Sequence, residues 1–187
     1  MRESSLSMDR AGSVSRAALG RRAAGIAAFA LLTAIGAFIR IPLPFTPVPI
    51  TLQTFFVLAS GIYLGGRDAA SSQILYVALG ILGLPVFAGA GGLAHALGPT
   101  GGFLMAFPLA AGLVGRFVEP GDRPARAALV LIAADLVIFA IGATWFAATV
   151  GVGPERALAL AVLPFLPGTV IKTGAVLALV VRPPVRR

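Results

Sequence analysis

Cysteine and asparagine are absent from this chain, and histidine and lysine occur once each, as His95 and Lys172. Without cysteine there is no disulfide, no thiolate metal site and no thiol nucleophile. A single histidine leaves no protein-only zinc site, because such sites need several His or Cys ligands. A P-loop is missing too: "GPTGGF" is glycine-rich but no lysine follows it. Charge is scarce at 12% of residues, against about 25% in an ordinary soluble domain. With no asparagine, neutral polar contacts fall to Gln, Thr, Ser, Tyr and the backbone.

What fills the chain is apolar. Of 187 residues, 58% are hydrophobic, and the mean hydropathy is +0.95. A spanning helix needs about 20 apolar residues, with a range of roughly 17–25. Six segments qualify or nearly do, which predicts an all-α integral membrane protein with six transmembrane helices. They are Ala17–Ile39, Thr51–Leu64, Ala69–Leu82, Phe103–Phe117, Ala125–Val150 and Thr169–Val181. A short helix, Arg156–Leu163, precedes the "PFLPG" break before the last span. Residues 1–16 read as a disordered polar tail, residues 17–182 as one membrane domain, and residues 183–187 as a basic tail. "GRRAAGIAAFALLTAIGAFIR" has the twin-arginine look of a signal, but no small-residue cleavage site follows, so it reads as a first span.

The net charge of +8 would suggest nucleic acid in a soluble protein. Here the arginines cluster at the ends of apolar runs and report orientation. With the N-terminus cytoplasmic, the inner side carries Arg2, Arg10, Arg16, Arg21, Arg22, Arg67, Arg116, Arg123, Arg126, Arg182, Arg186 and Arg187. The outer side carries Arg40 and Arg156. Both termini are then cytoplasmic, and the long irregular loops lie on the outer face. No internal repeat of the kind found in many secondary transporters is visible.

Two of those loops are unusual. "IRIPLPFTPVPITLQTFF" holds four prolines, Pro42, Pro44, Pro47 and Pro49. Each removes a donor and fixes φ, so the segment is extended and must lie at the surface or be buried in protein. "GLPVFAGAGGLAHALGPTGG" is apolar yet rich in glycine, which lets backbone approach a ligand closely. It reads as a lid or as a close-packed turn, with His95 a surface residue within it.

Lys172 stands inside "LPGTVIKTGAVLALVV", ten residues before Arg182, or roughly 15 Å of helix above the inner interface. A charge at the centre of a membrane helix costs about 2.5–3.5 kcal/mol, so such residues usually face the interior. Lys172 is either a ligand for an anionic group or a snorkelling or structurally paired side chain. Asp135 lies nine residues past Arg126, about 13 Å above the same interface. The two reach a similar depth, so pairing is one expectation and a protonated, merely packed carboxyl the other. Thr51 and Gln53 open the second span as hydrogen-bonding candidates, or as a cap and a satisfied buried amide. Tyr76 and Trp145 are candidate aromatic walls, or core and interfacial residues. Arg40 reads as an anchor of the first helix at the outer interface. The first helix carries small residues four apart, Ala23/Ala27, Ala24/Ala28 and Ala30/Ala34, a spacing that permits close helix approach in a membrane.

"PFTPVPITLQTFFVLASGIYLG", "SSQILYVALGILGLPVFAGAGG", "GPTGGFLMAFPLAAGLVG" and "FLPGTVIKT" resemble, in order and spacing, the BioY family of biotin transporters. Its members are the substrate-binding S components of energy-coupling factor (ECF) transporters, and the resemblance covers about residues 20–182. It implies a multi-pass protein of the bacterial cytoplasmic (inner) membrane that captures biotin from outside under its loops. It implies partners as well: a transmembrane coupling protein and ABC-type ATPases that drive delivery inward. Biotin is cargo on this reading, and no cofactor, metal or catalytic residue is implied. The candidate substrate contacts are Lys172, Thr169, Gln53, Thr51, Gly98, Thr100, Phe87, Tyr76, Trp145 and Asp135, and the resemblance implies Ala23, Ala24, Ala27 and Ala28 as the docking surface. One departure stands out. The family pattern is PGD-x-x-K, and here Thr169 occupies the acid's place before Lys172. Rival readings are an S component for another vitamin, a solitary biotin permease, or an intramembrane enzyme using Asp135 and Lys172 as acid and base.

Overall fold

A computed structural model describes residues 2–181, with their side chains from residue 16 onward. Eight helices and one hairpin follow in order: α1 (Arg2–Phe38), β1 (Arg40–Leu43), β2 (Thr46–Thr51), α2 (Gln53–Leu64), α3 (Gly66–Ile81), α4 (Leu93–Ala96), α5 (Gly101–Phe117), α6 (Pro124–Val150), α7 (Pro154–Ala161) and α8 (Leu166–Val181). A 3₁₀ turn, Leu163–Phe165, joins α7 to α8. The backbone of α1 is helical from Arg2, so the stretch read as a disordered tail continues the helix. The basic tail at 183–187 lies outside the described residues.

Among the described residues, three stretches are long and apolar enough to cross a membrane by length and composition: Arg16–Phe38, Pro124–Val150 and Pro154–Val181, the last combining α7 with α8. Gln53–Leu64 and Gly101–Phe117 are shorter apolar helices. Large apolar side chains stand on the outside, among them Leu129, Leu136, Val170 and Ile171, as a lipid-facing surface requires.

The α5 helix is central and packs against α2, α3 and α6, while α1 lies along α2 and α3. The α8 helix closes the ring by touching both α2 and α6. Packing is very close where α2 turns into α3. A Cβ on Gly115 of α5 would fall 2.5 Å from the carbonyl carbon of Gly65 and 2.6 Å from the nitrogen of Gly66. Only glycine allows that contact, and Gly65 adds a φ of +77° that L side chains rarely adopt. In lipid, such backbone-to-backbone packing stands in for the hydrophobic drive that water supplies elsewhere.

At the other end the four-proline segment is extended, and it pairs with itself. The β1 and β2 strands form an antiparallel hairpin with Arg40 opposite Thr51, Ile41 opposite Ile50 and Leu43 opposite Thr46. The register shifts between Ile41 and Leu43, where Pro42 has no N–H to give the ladder. The chain leaves the hairpin through Leu52, whose N–H is shared by the carbonyls of Gly36 and Ile39 at the end of α1. That bond fixes the hairpin over the start of α2.

Candidate functional site

Beneath the hairpin lies a cavity of about 200 Å³. Gln53 and Thr54 of α2, Phe103, Leu104 and Phe107 of α5, and Asp135, Ile138 and Phe139 of α6 form its sides, with Thr169 and Lys172 of α8. The hairpin contributes Arg40, Pro47, Val48, Pro49 and Thr51. The glycine-rich loop contributes Phe87, Ala88, Ala90, His95 and Thr100. Aromatic and aliphatic walls with a few convergent polar groups are the usual make-up of a small-molecule site.

Lys172 is partly buried and donates from Nζ to the Thr51 carbonyl at 3.1 Å and the Thr54 hydroxyl at 2.5 Å. Its ammonium is thereby held toward α2. Thr51 passes the network on, its hydroxyl donating to Gln53 Oε1 at 2.9 Å. Gln53 Nε2 donates to the Tyr76 hydroxyl at 2.5 Å, and that hydroxyl donates to the Val86 carbonyl at 3.1 Å. One polar chain thus runs from the only lysine to the backbone of the glycine-rich loop.

The loop is also held by rings. Phe87 lies against Gly80, where a Cβ would come within 2.0 Å of the ring, so α3 needs glycine at that point. Tyr76 meets the Phe87 ring edge-on, and His95 stacks on it at 5.7 Å. Burial pushes the His95 imidazole below its ordinary pKa. Trp145 Nε1 donates to the Gly98 carbonyl at 2.9 Å, tying the far end of the loop to α6. Arg40 reaches from the hairpin and donates to the Ala88 carbonyl, at a residue with a φ of +52°.

Seven of the ten residues assigned to substrate from sequence line the cavity: Lys172, Thr169, Gln53, Thr51, Thr100, Phe87 and Asp135. The other three stand behind it. Tyr76 is buried and supports Phe87 and Phe107, whereas Trp145 and Gly98 bond to each other. Arg40 and His95, read as an anchor and a surface residue, both line the cavity instead. Thr54 and the α5 and α6 aromatics escaped the sequence reading, because only the fold brings them to one wall.

The expected pairing of Asp135 with Lys172 does not form. The ion pairs among the described residues are Arg22 with Asp68 and Arg126 with Asp122. Asp135 Oδ2 accepts from the Thr173 hydroxyl at 2.5 Å instead. Adjacent residues of α8 point to opposite flanks, Lys172 to α2 and Thr173 to α6, which separates the charges. The helix also begins one turn earlier than expected, at Leu166, so Pro167 sits in its first turn, where no N–H is needed.

The BioY family model matches residues 8–187. The chain belongs to the BioY family. It is 42% identical over 150 residues to the "Probable biotin transporter BioY" of Pyrococcus horikoshii, covering 80% of this chain and 87% of that protein. The "Biotin transporter BioY" of Rhizobium etli is 35% identical over 153 residues, covering 76% and 81%. Among solved structures, "the S-component for biotin from an ECF-type ABC transporter" matches with a TM-score of 0.79 at 27% identity, covering 87% of this chain and 89% of that one. The cavity described above therefore sits in the fold of a biotin S-component.

Proposed function

We propose that the chain is the membrane-embedded, substrate-binding subunit of a biotin uptake system and that the cavity is its biotin site. The observation that carries this is the lone lysine, turned into an aromatic-walled cavity in a chain whose relatives are named biotin transporters. Biotin offers a carboxylate to Lys172, an apolar thiophane to Phe87, Phe103 and Phe107, and a ureido ring to the neutral polar groups. The hairpin and the glycine-rich loop form the cover through which biotin enters and under which it is held.

The chain crosses the bacterial cytoplasmic membrane six times, with α7 lying short of a full span and both termini inside. The distribution of arginine supports that orientation. Delivery inward belongs to an ATP-driven module, a coupling protein with two ATPases, since the chain carries no P-loop of its own. Ala23, Ala24, Ala27 and Ala28 support a docking role for α1, because all four are exposed, whereas Ala30 and Ala34 are buried in the core. Leucine at Ala24 and Ala28 is expected to abolish co-purification with such a module while leaving biotin binding intact.

The biotin reading is tested by equilibrium binding of labelled biotin to the purified chain in detergent. Saturable tight binding at one site per chain is expected. A folded chain that ignores biotin and takes another vitamin would overturn the reading.

A further inference from the structure

Asp135 is 7% exposed and lines the cavity. Its Oδ2 accepts one hydrogen bond, from Thr173, and among the described residues its Oδ1 has no protein partner. A carboxylate accepts up to about four hydrogen bonds, and leaving a buried one under-served is costly. The lysine that would neutralise it is bound to Thr51 and Thr54 on the opposite flank of α8. Gln53 Nε2 is likewise committed, to Tyr76. The cavity therefore presents a cation on one flank and an unfilled acceptor on the other.

We infer that Asp135 is a specificity-determining residue that accepts a ureido N–H of the bound biotin, while Thr173 positions its carboxylate. This rests on the biotin reading above. The charges agree with it: Arg40, Lys172 and Asp135 leave the cavity walls at one net positive charge, which one ligand carboxylate balances. An acid with the same tail but no N–H leaves Asp135 unserved, so the site rejects it. Discrimination by a buried polar group that a wrong ligand leaves unpaired is stronger than discrimination by shape.

The test compares biotin with biotin methyl ester, which keeps the ureido ring and loses the anion, on the full chain in detergent. Asp135→Ala and the isosteric Asp135→Asn should each weaken biotin roughly 10- to 100-fold, the loss of a charge-assisted hydrogen bond. Both should leave the biotin-to-ester affinity ratio at its wild-type value, whereas Lys172→Ala should collapse that ratio. Thr173→Val should weaken biotin by about fivefold, again with the ratio unchanged. Asp135→Asn that binds biotin within about twofold of wild type overturns the assignment. So does an Asp135 variant that collapses the ester ratio, since Asp135 would then act through Lys172. Wild-type protein that binds no biotin overturns the biotin reading itself, and this inference with it.

Discussion

The two ends of the bundle differ in what lies between their helices. Where α2 turns into α3 against the end of α5, Gly61, Gly65, Gly66 and Gly115 bring backbones into contact, and Val57, Ala69, Ala111 and Val114 are fully buried around them. The Arg22–Asp68 ion pair joins α1 to α3 beside them, and the buried Ser60, Ser72 and Gln73 bond to one another close by. At the other end α5 and α6 still pack closely, at Gly102 and Gly142, but a cavity opens among α2, α5, α6 and α8, covered by a proline hairpin and a glycine-rich loop. There a hydrogen-bonded chain, Lys172–Thr51–Gln53–Tyr76–Val86, links α8 to the glycine-rich loop, and stacked rings fix the loop. The contrast teaches that the α2–α3 turn and the cavity, packed differently, sit at separate ends of one small bundle.

The comparison breaks most severely at the closed end. Gly115→Val puts side-chain atoms into the backbone of Gly65 and Gly66, and overpacking costs about 1–3 kcal/mol or more. Folded protein should fall sharply and its melting temperature should drop, read by thermal unfolding in detergent. The fraction that folds should bind biotin normally. Lys172→Ala should do the reverse, weakening biotin by about 100-fold with a melting temperature close to wild type.

Substitutions between the ends sharpen the boundary. Gly80→Ala drives the Phe87 ring toward the cavity and should cost both properties, with about a tenfold loss of affinity and a moderate loss of stability. Tyr76→Phe removes the hydroxyl that joins Gln53 to Val86, so two polar groups lose a partner. About 1 kcal/mol is expected, read as a roughly fivefold faster release of biotin. The smallest effect belongs to pH. The pKa of His95 is depressed in the folded chain, so its contribution to stability is complete above the ordinary histidine value of about 6.5. It declines as pH falls below that value and through the folded one, and a shallow drop in melting temperature over that range would show it, absent in His95→Gln.

Much of this was legible in the sequence, and the limits are physical. Apolar runs placed α2, α3, α5, α6 and the C-terminal end of α1 within a few residues, because burial and lipid exposure both demand apolar side chains over a helix length. The four prolines announced an extended segment. They hid the hairpin, since proline argues against a ladder and only the pairing of Arg40 with Thr51 reveals one. Lys172 and Asp135 were conspicuous as charges in apolar helices. Their separation was not, because depth along two helices says nothing of which flank each side chain takes. Arg40 and His95 looked like interface and surface residues for the same reason. Their partners, Ala88 and Phe87, lie in a loop whose path sequence leaves open.

The central claim is that the open end binds biotin through Lys172 independently of what holds the bundle together. The most direct measurement is the biotin dissociation constant of Lys172→Ala, taken on protein whose thermal unfolding has been recorded in the same detergent. A loss of about 100-fold with an unchanged melting curve is the predicted result. Wild-type affinity in the variant, or a loss matched by unfolding, would contradict it.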